Sequence, residues 1–143
     1  IGEMDYSKMD WVLKEPPSFY ARRNCYYGAS FPSLEELNGR EEVGLEQICW
    51  GNDYPHYEGT FPYNTESLQL TFGDIPDRER RMILGENAAK LYNFDLEALK
   101  PLAEKYGPTP AQVETPLDEV PEDCGCYLFQ NELRARAQAR QAS

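Results

Sequence analysis

Two short apolar runs, NCYYGASF (residues 24–31) and LEQICW (residues 45–50), stand on either side of a segment that reads as a helix, and this order restricts the fold more than any other feature of the chain. Ser33-Leu34-Glu35-Glu36 is a capping-box pattern, in which the serine hydroxyl and the glutamate three residues on satisfy each other's orphan backbone donors. The helix it starts is expected to end at Gly44, which suits a C-terminal cap. Strand, helix and strand in this order form a unit of a parallel sheet joined by a right-handed crossover. The near-continuous apolar character of both runs predicts strands buried on both faces.

Elsewhere the pattern is helical. Residues 5–14, DYSKMDWVLK, are expected to form a helix that Pro16-Pro17 stop, with a short helix after it from Ser18 to Arg23. The loop YEGTFPYN is rich in glycine, proline and aromatics. Thr65 is expected to cap a helix to Phe72. Ile75-Pro76-Asp77 opens another that Gly85 ends, with Arg80 and Arg81 late in it, as the helix dipole favours. Asn87 is expected to cap NAAKLY. Asp95 caps LEALKPLAEKYG, which Pro101 interrupts, and Thr109-Pro110 begins a final turn. The chain divides at 113: residues 114–143 form an acidic, then basic tail expected to be poorly ordered, with ELRARAQARQAS as a solvated helix. Two strands do not make a stable sheet, and each would leave an edge unpaired. The expectation is therefore the last part of a larger α/β fold, a chain whose beginning lies elsewhere, as the isoleucine at residue 1 also suggests; a trimmed chain is the plainer account of that isoleucine.

The length of 143 residues and 41% hydrophobic content suit one domain with a core. With 14 Lys plus Arg against 25 Asp plus Glu, the net charge is −11, which repels phosphate backbones and anionic lipid. Nucleic acid and membrane are therefore not expected partners, and a cytoplasmic location is the default. Cys25 and Cys49 fall in the strand-like runs and Cys124 and Cys126 share one short segment, so reduced structural thiols are expected rather than bridges or a four-thiolate zinc site.

The stretch CWGNDYPH leaves the second strand and contains His56, the single histidine. Asp53 reads either as a turn residue before Tyr-Pro or as a carboxylate aimed from a strand end. His56 reads as a pocket-mouth substrate contact or as a loop histidine bonded to backbone. Trp50 and Tyr54 read as packing, Asn52 as a backbone partner, and Phe61 and Tyr63 as simple packing or as part of a lid or a subunit contact.

RNCYYGASF, then EEVGLEQICWGNDYPHYEGTFP, then IPDRERRMILGENAAKLYNFD resemble the C-terminal portion of the amidohydrolase superfamily. The branch they resemble holds amidohydrolase-related metal-dependent hydrolases and aminocarboxymuconate-semialdehyde-type decarboxylases, and the likeness spans roughly residues 5–115. It implies α/β architecture: the C-terminal part of a TIM (β/α)8 barrel of roughly 250 residues, here incomplete, with NCYYGASF as strand seven and LEQICW as strand eight. It also implies Asp53 as a catalytic residue and metal ligand, His56 as a substrate contact, and a divalent metal, zinc first, in the complete barrel. The family's other ligands, an HxH pair and two later histidines, have no counterpart here, so the isolated chain is expected to be inactive. The implied reaction on a small-molecule substrate is hydrolysis of a C–N or ester bond, or non-oxidative decarboxylation of an unsaturated acid, with a homo-oligomer as a permitted state. The rival reading is a non-enzymatic truncated module that binds another chain.

Overall fold

The computed structural model describes residues 13–142. The helix expected over residues 5–14 lies for the most part outside the described residues. Pro17 sits at the first position of α1 (Pro17–Asn24), where its missing N–H is no loss. β1 (Tyr27–Ser30) follows. Ser33 and Glu36 form the reciprocal capping box at α2 (Leu34–Asn38), and Gly39 separates it from α3 (Arg40–Val43). Gly44 ends that helix at φ 117°, a conformation that only glycine adopts without strain. One 3-10 turn, Leu45–Gln47, leads into β2 (Ile48–Gly51), so the second strand begins three residues later than the apolar run suggests.

β1 and β2 pair in parallel, with Tyr27 opposite Ile48 and Ala29 opposite Trp50. Because side chains alternate along a strand, Ala29, Ile48 and Trp50 share one face. That face packs on a cluster of Leu37, Leu68, Phe72, Ile75, Ile83 and Val113. The opposite face carries Gly28, Ser30, Cys49 and Gly51, and a Cβ added at Gly28 or Gly51 would meet no atom within 4 Å. The expectation of strands buried on both faces is thus corrected: among the described residues helices cover one side only, Gly28 on the other side is exposed, and even on the covered side Tyr27 at the start of β1 is exposed. Apolar content cannot tell a strand buried on two faces from one whose second face has no cover among the described residues.

The covering layer is helical. α4 (Asn64–Phe72) starts one residue before Thr65, which lies inside it rather than capping it. α5 (Asp77–Arg81), a π-turn (Met82–Glu86) and α6 (Asn87–Tyr92) run on without a break. Gly85 therefore does not end a helix and Asn87 does not cap one. Asn87 sits in helical conformation and sends its amide to the carbonyls of Leu45 and Ile48, at 2.8 Å each. Asp95 caps α7 (Leu96–Tyr106) as expected, accepting from Ala98 N, but the helix continues through Pro101. Thr109 and Gln112 form a second capping box at α8 (Pro110–Glu114). Arg80 is buried and ties α5 to α8 through Glu114 at 2.5 Å.

The stretch expected to be poorly ordered contains the 16-residue α9 (Tyr127–Ala142). Val120, Cys124, Cys126, Leu128 and Phe129 form a second cluster with Phe31, and Tyr63 and Leu70 pack against it. Six apolar-rich residues, CGCYLF, are too few to nucleate order alone. Their partners come from residues 31–70, which local reading does not connect with them. Arg136 adds to the docking by donating to the carbonyls of Leu117 and Asp118. No helix among the described residues is long and apolar enough to cross a membrane.

Candidate functional site

Asp53 lies two residues beyond the C-terminal end of β2. Its backbone is left-handed, φ 60°, a region that Asp and Asn enter more readily than other non-glycine residues. The carbonyl of Asp53 accepts from His56 N at 2.8 Å, closing the turn. Asn52 Oδ1 accepts from Tyr54 N at 3.2 Å, so the side-chain bond to the turn comes from Asn52. The Asp53 carboxylate points to His56: Oδ2 and Nδ1 are 3.6 Å apart, too far for a hydrogen bond and an ion pair only when the imidazole is protonated. Both side chains reach solvent, His56 more than Asp53.

The loop is anchored by groups that sequence reading passed over. Thr60 N donates to Asn52 O at 3.1 Å, and the fully buried Thr60 hydroxyl donates to Asn64 Oδ1 at 2.9 Å. Asn52 Nδ2 donates to that same oxygen at 3.3 Å. At Gly59 a Cβ would stand 2.6 Å from Asn52 O, so the crossing of the two loop arms needs glycine there. Thr60 and Asn64 are ordinary loop residues in the sequence; only the backbone crossing gives them one shared acceptor.

The C-terminal segment forms the loop's outer wall. The Tyr63 hydroxyl donates to Asp123, 2.8 and 2.9 Å from its two carboxylate oxygens, and Cys124 Sγ donates weakly to Gly59 O at 3.7 Å. Gly125 lies against the Tyr57 ring, where a Cβ would overlap it at 2.3 Å. Between wall and loop is a cleft of about 270 Å³ lined by Tyr54, His56, Tyr57, Phe61, Tyr63 and Asp123. Tyr54 meets Phe61 edge-on at 5.0 Å. Donation to Asp123 raises the Tyr63 pKa above the ordinary tyrosine value, with burial of the hydroxyl adding to it. A larger groove of about 650 Å³ follows β1 and includes Gly28, Ser30 and Ile48. Among the described residues the sheet has no further strand there.

Trp50 packs against the first cluster, in keeping with a packing role, and its Nε1 has no hydrogen-bond partner among the described residues. All four cysteines are free thiols, and burial raises the pKa of Cys49 and of Cys126. Among the described residues no group of three or more His, Cys, Asp or Glu side chains is arranged to hold a metal ion.

A family model described as amidohydrolase matches residues 3–94, more than half of the chain. The chain belongs to the amidohydrolase family. No curated protein and no solved structure matches it. The match covers β1, β2, Asp53, His56 and the α5–α6 helix, and stops before α7 and the C-terminal wall. Amidohydrolase superfamily members generally use divalent metals. One carboxylate and one imidazole do not make a ligand set for such an ion, so the described residues of this amidohydrolase do not fit a metal by themselves.

Proposed function

We propose that β1 and β2 are the last two strands of a (β/α)8 barrel, and that this chain contributes Asp53 to the site of a hydrolase acting on C–N or ester bonds. The observation that carries this reading is the position of Asp53 just past the C-terminal end of a parallel strand, the end at which barrel enzymes gather their reacting groups. The sheet face without helical cover among the described residues supports it: Gly28, Ser30, Cys49 and Gly51 are the residues that would face a barrel interior. Two strands with open outer edges also call for neighbours. Asn87 of GENAAKLY hydrogen-bonds the strand that leads into WGNDYPH, which supports reading the two motifs as one unit of the hydrolase and semialdehyde-decarboxylase branch.

In this role the Asp53 carboxylate accepts a proton from the attacking water and returns it to the leaving group. The C–N or C–O bond breaks as the new C–O bond forms. His56, beside it at the mouth of the cleft, contacts the substrate. A second reading, a non-enzymatic module that binds another chain, draws on the open edge of β1 among the described residues.

Asp53→Asn in a protein that carries the complete barrel tests the first reading. Hydrolysis is expected to fall at least ~100-fold with an unchanged fold, the lower end of what a proton-transfer group supplies. Full activity in that variant would leave Asp53 a turn residue. Equilibrium dialysis of the present chain against zinc is expected to show only weak surface binding; a tight one-to-one site would mean that the metal chemistry has been misplaced.

A further inference from the structure

The cleft between the Asp53 loop and the C-terminal segment is walled by aromatic rings. Tyr54, Tyr57, Phe61 and Tyr63 line it, with Asp123 and His56. Three of these residues are more than half exposed, Tyr54 at 65%, Tyr57 at 82% and Phe61 at 56%. Their places are nevertheless set by contacts. Tyr54 meets Phe61 edge-on at 5.0 Å, the Tyr57 ring lies against Gly125 where a Cβ would overlap it, and Tyr63 donates to Asp123.

Charge distinguishes this cleft from the others. The chain has no Lys or Arg from residue 41 to residue 77 or from residue 106 to residue 133, the two segments that supply the walls. The other prominent cavities among the described residues each include an arginine in their lining, from Arg22, Arg23, Arg136 or Arg140. Here the lining holds neither Lys nor Arg, and Asp123 accepts from the neutral Tyr63 hydroxyl. The one lining group that can turn positive is His56, and Asp53 Oδ2 stands 3.6 Å from its Nδ1.

We propose that this cleft binds a quaternary ammonium group. Aromatic faces attract a cation electrostatically, and a methylated nitrogen has no N–H left to satisfy, so rings and one carboxylate are sufficient partners. A primary ammonium is a compact, strongly hydrated charge that would have to give up its water here for few acceptors. At about 270 Å³ the cleft is smaller than the roughly 300–1,000 Å³ of pockets that enclose a drug-sized ligand, and it suits a head group. Asp123 and Gly125 of its outer wall lie beyond the residues shared with the amidohydrolase family, and the binding does not depend on Asp53 being catalytic.

An NMR titration of the chain with choline chloride tests this. The ring protons of Tyr54, Tyr57 and Phe61 are expected to shift saturably, and neohexyl alcohol, the neutral analogue of choline with carbon in place of nitrogen, is expected to bind about fivefold more weakly. Asp123→Asn keeps an acceptor for Tyr63 but removes the charge, and should weaken choline about threefold while leaving neohexyl alcohol unchanged. Tyr57→Leu, at the most exposed ring, should weaken choline by a similar factor with unchanged far-ultraviolet circular dichroism. Co-sedimentation of the chain with phosphatidylcholine vesicles would assign the head group to lipid, and choline binding without it to a free small molecule; both results carry the proposal. Equal affinity for choline and neohexyl alcohol overturns it and makes the cleft an apolar packing surface. The absence of a saturable shift with choline also overturns it, as does full choline binding in Tyr57→Leu combined with Asp123→Asn, which would place the ligand elsewhere.

Discussion

The Asn87 side chain spans one helix and one strand entry. A single buried amide, 4% exposed, donates at 2.8 Å to both Leu45 O and Ile48 O. In Asn87→Ala two carbonyls lose their donor where water has little access, and each unsatisfied buried polar group costs about 1–3 kcal/mol. The urea midpoint is expected to fall accordingly. Asn87→Ala at wild-type stability would show that water replaces the amide. The π-turn just before Asn87 makes the same point at the scale of one residue. It keeps the α5–α6 helix continuous past Gly85 while Ile83 is fully buried.

At the scale of the element, the Asp53 loop and the C-terminal wall depend on the Tyr63–Asp123 hydrogen bond. The folded Tyr63 binds its proton more tightly than the unfolded chain does, because its hydroxyl donates to Asp123. The contribution of this contact is therefore fully present below the unfolded tyrosine pKa of about 10, and is lost as pH rises through the higher folded value. Phenolate absorbance, taken as wild type minus Tyr63→Phe, is expected to titrate above that ordinary value. The same difference measured in an Asp123→Asn background should move back towards it. Equal midpoints in the two backgrounds would mean that the wall does not close on the loop in solution.

For the whole molecule, two apolar clusters lie on either side of α4. One is under the sheet and the other under the C-terminal segment, with Leu68 and Phe72 facing the first and Leu70 the second. Truncation after Glu114 removes Val120, Cys124, Cys126, Leu128 and Phe129, and leaves Phe31 and Tyr63 without their cover. Increased binding of a hydrophobic dye and faster amide exchange over residues 52–63 are the expected outcomes. A truncated chain with unchanged exchange in that loop would make α9 an appendage rather than a wall.

Features carried by neighbouring residues could be read directly from the sequence. The Ser33–Glu36 capping box, the Thr109-Pro110 start, the Asp95 cap, the Gly44 stop and the parallel order of the strands all rest on contacts within a few residues or on element order. The position of Asp53 beyond β2 was legible for the same reason. Contacts between distant segments were not. Pro101 inside a continuous helix, the Asn52–Thr60–Asn64 network and the packing of CGCYLF on Phe31 all pair groups that no local pattern relates. Sequence periodicity shows that a face is apolar, but not whether anything covers it. Only the tertiary structure decided that Ala29 and Trp50 are covered while Gly28, Gly51 and the leucines of α7 are open, because burial depends on what the rest of the chain brings alongside.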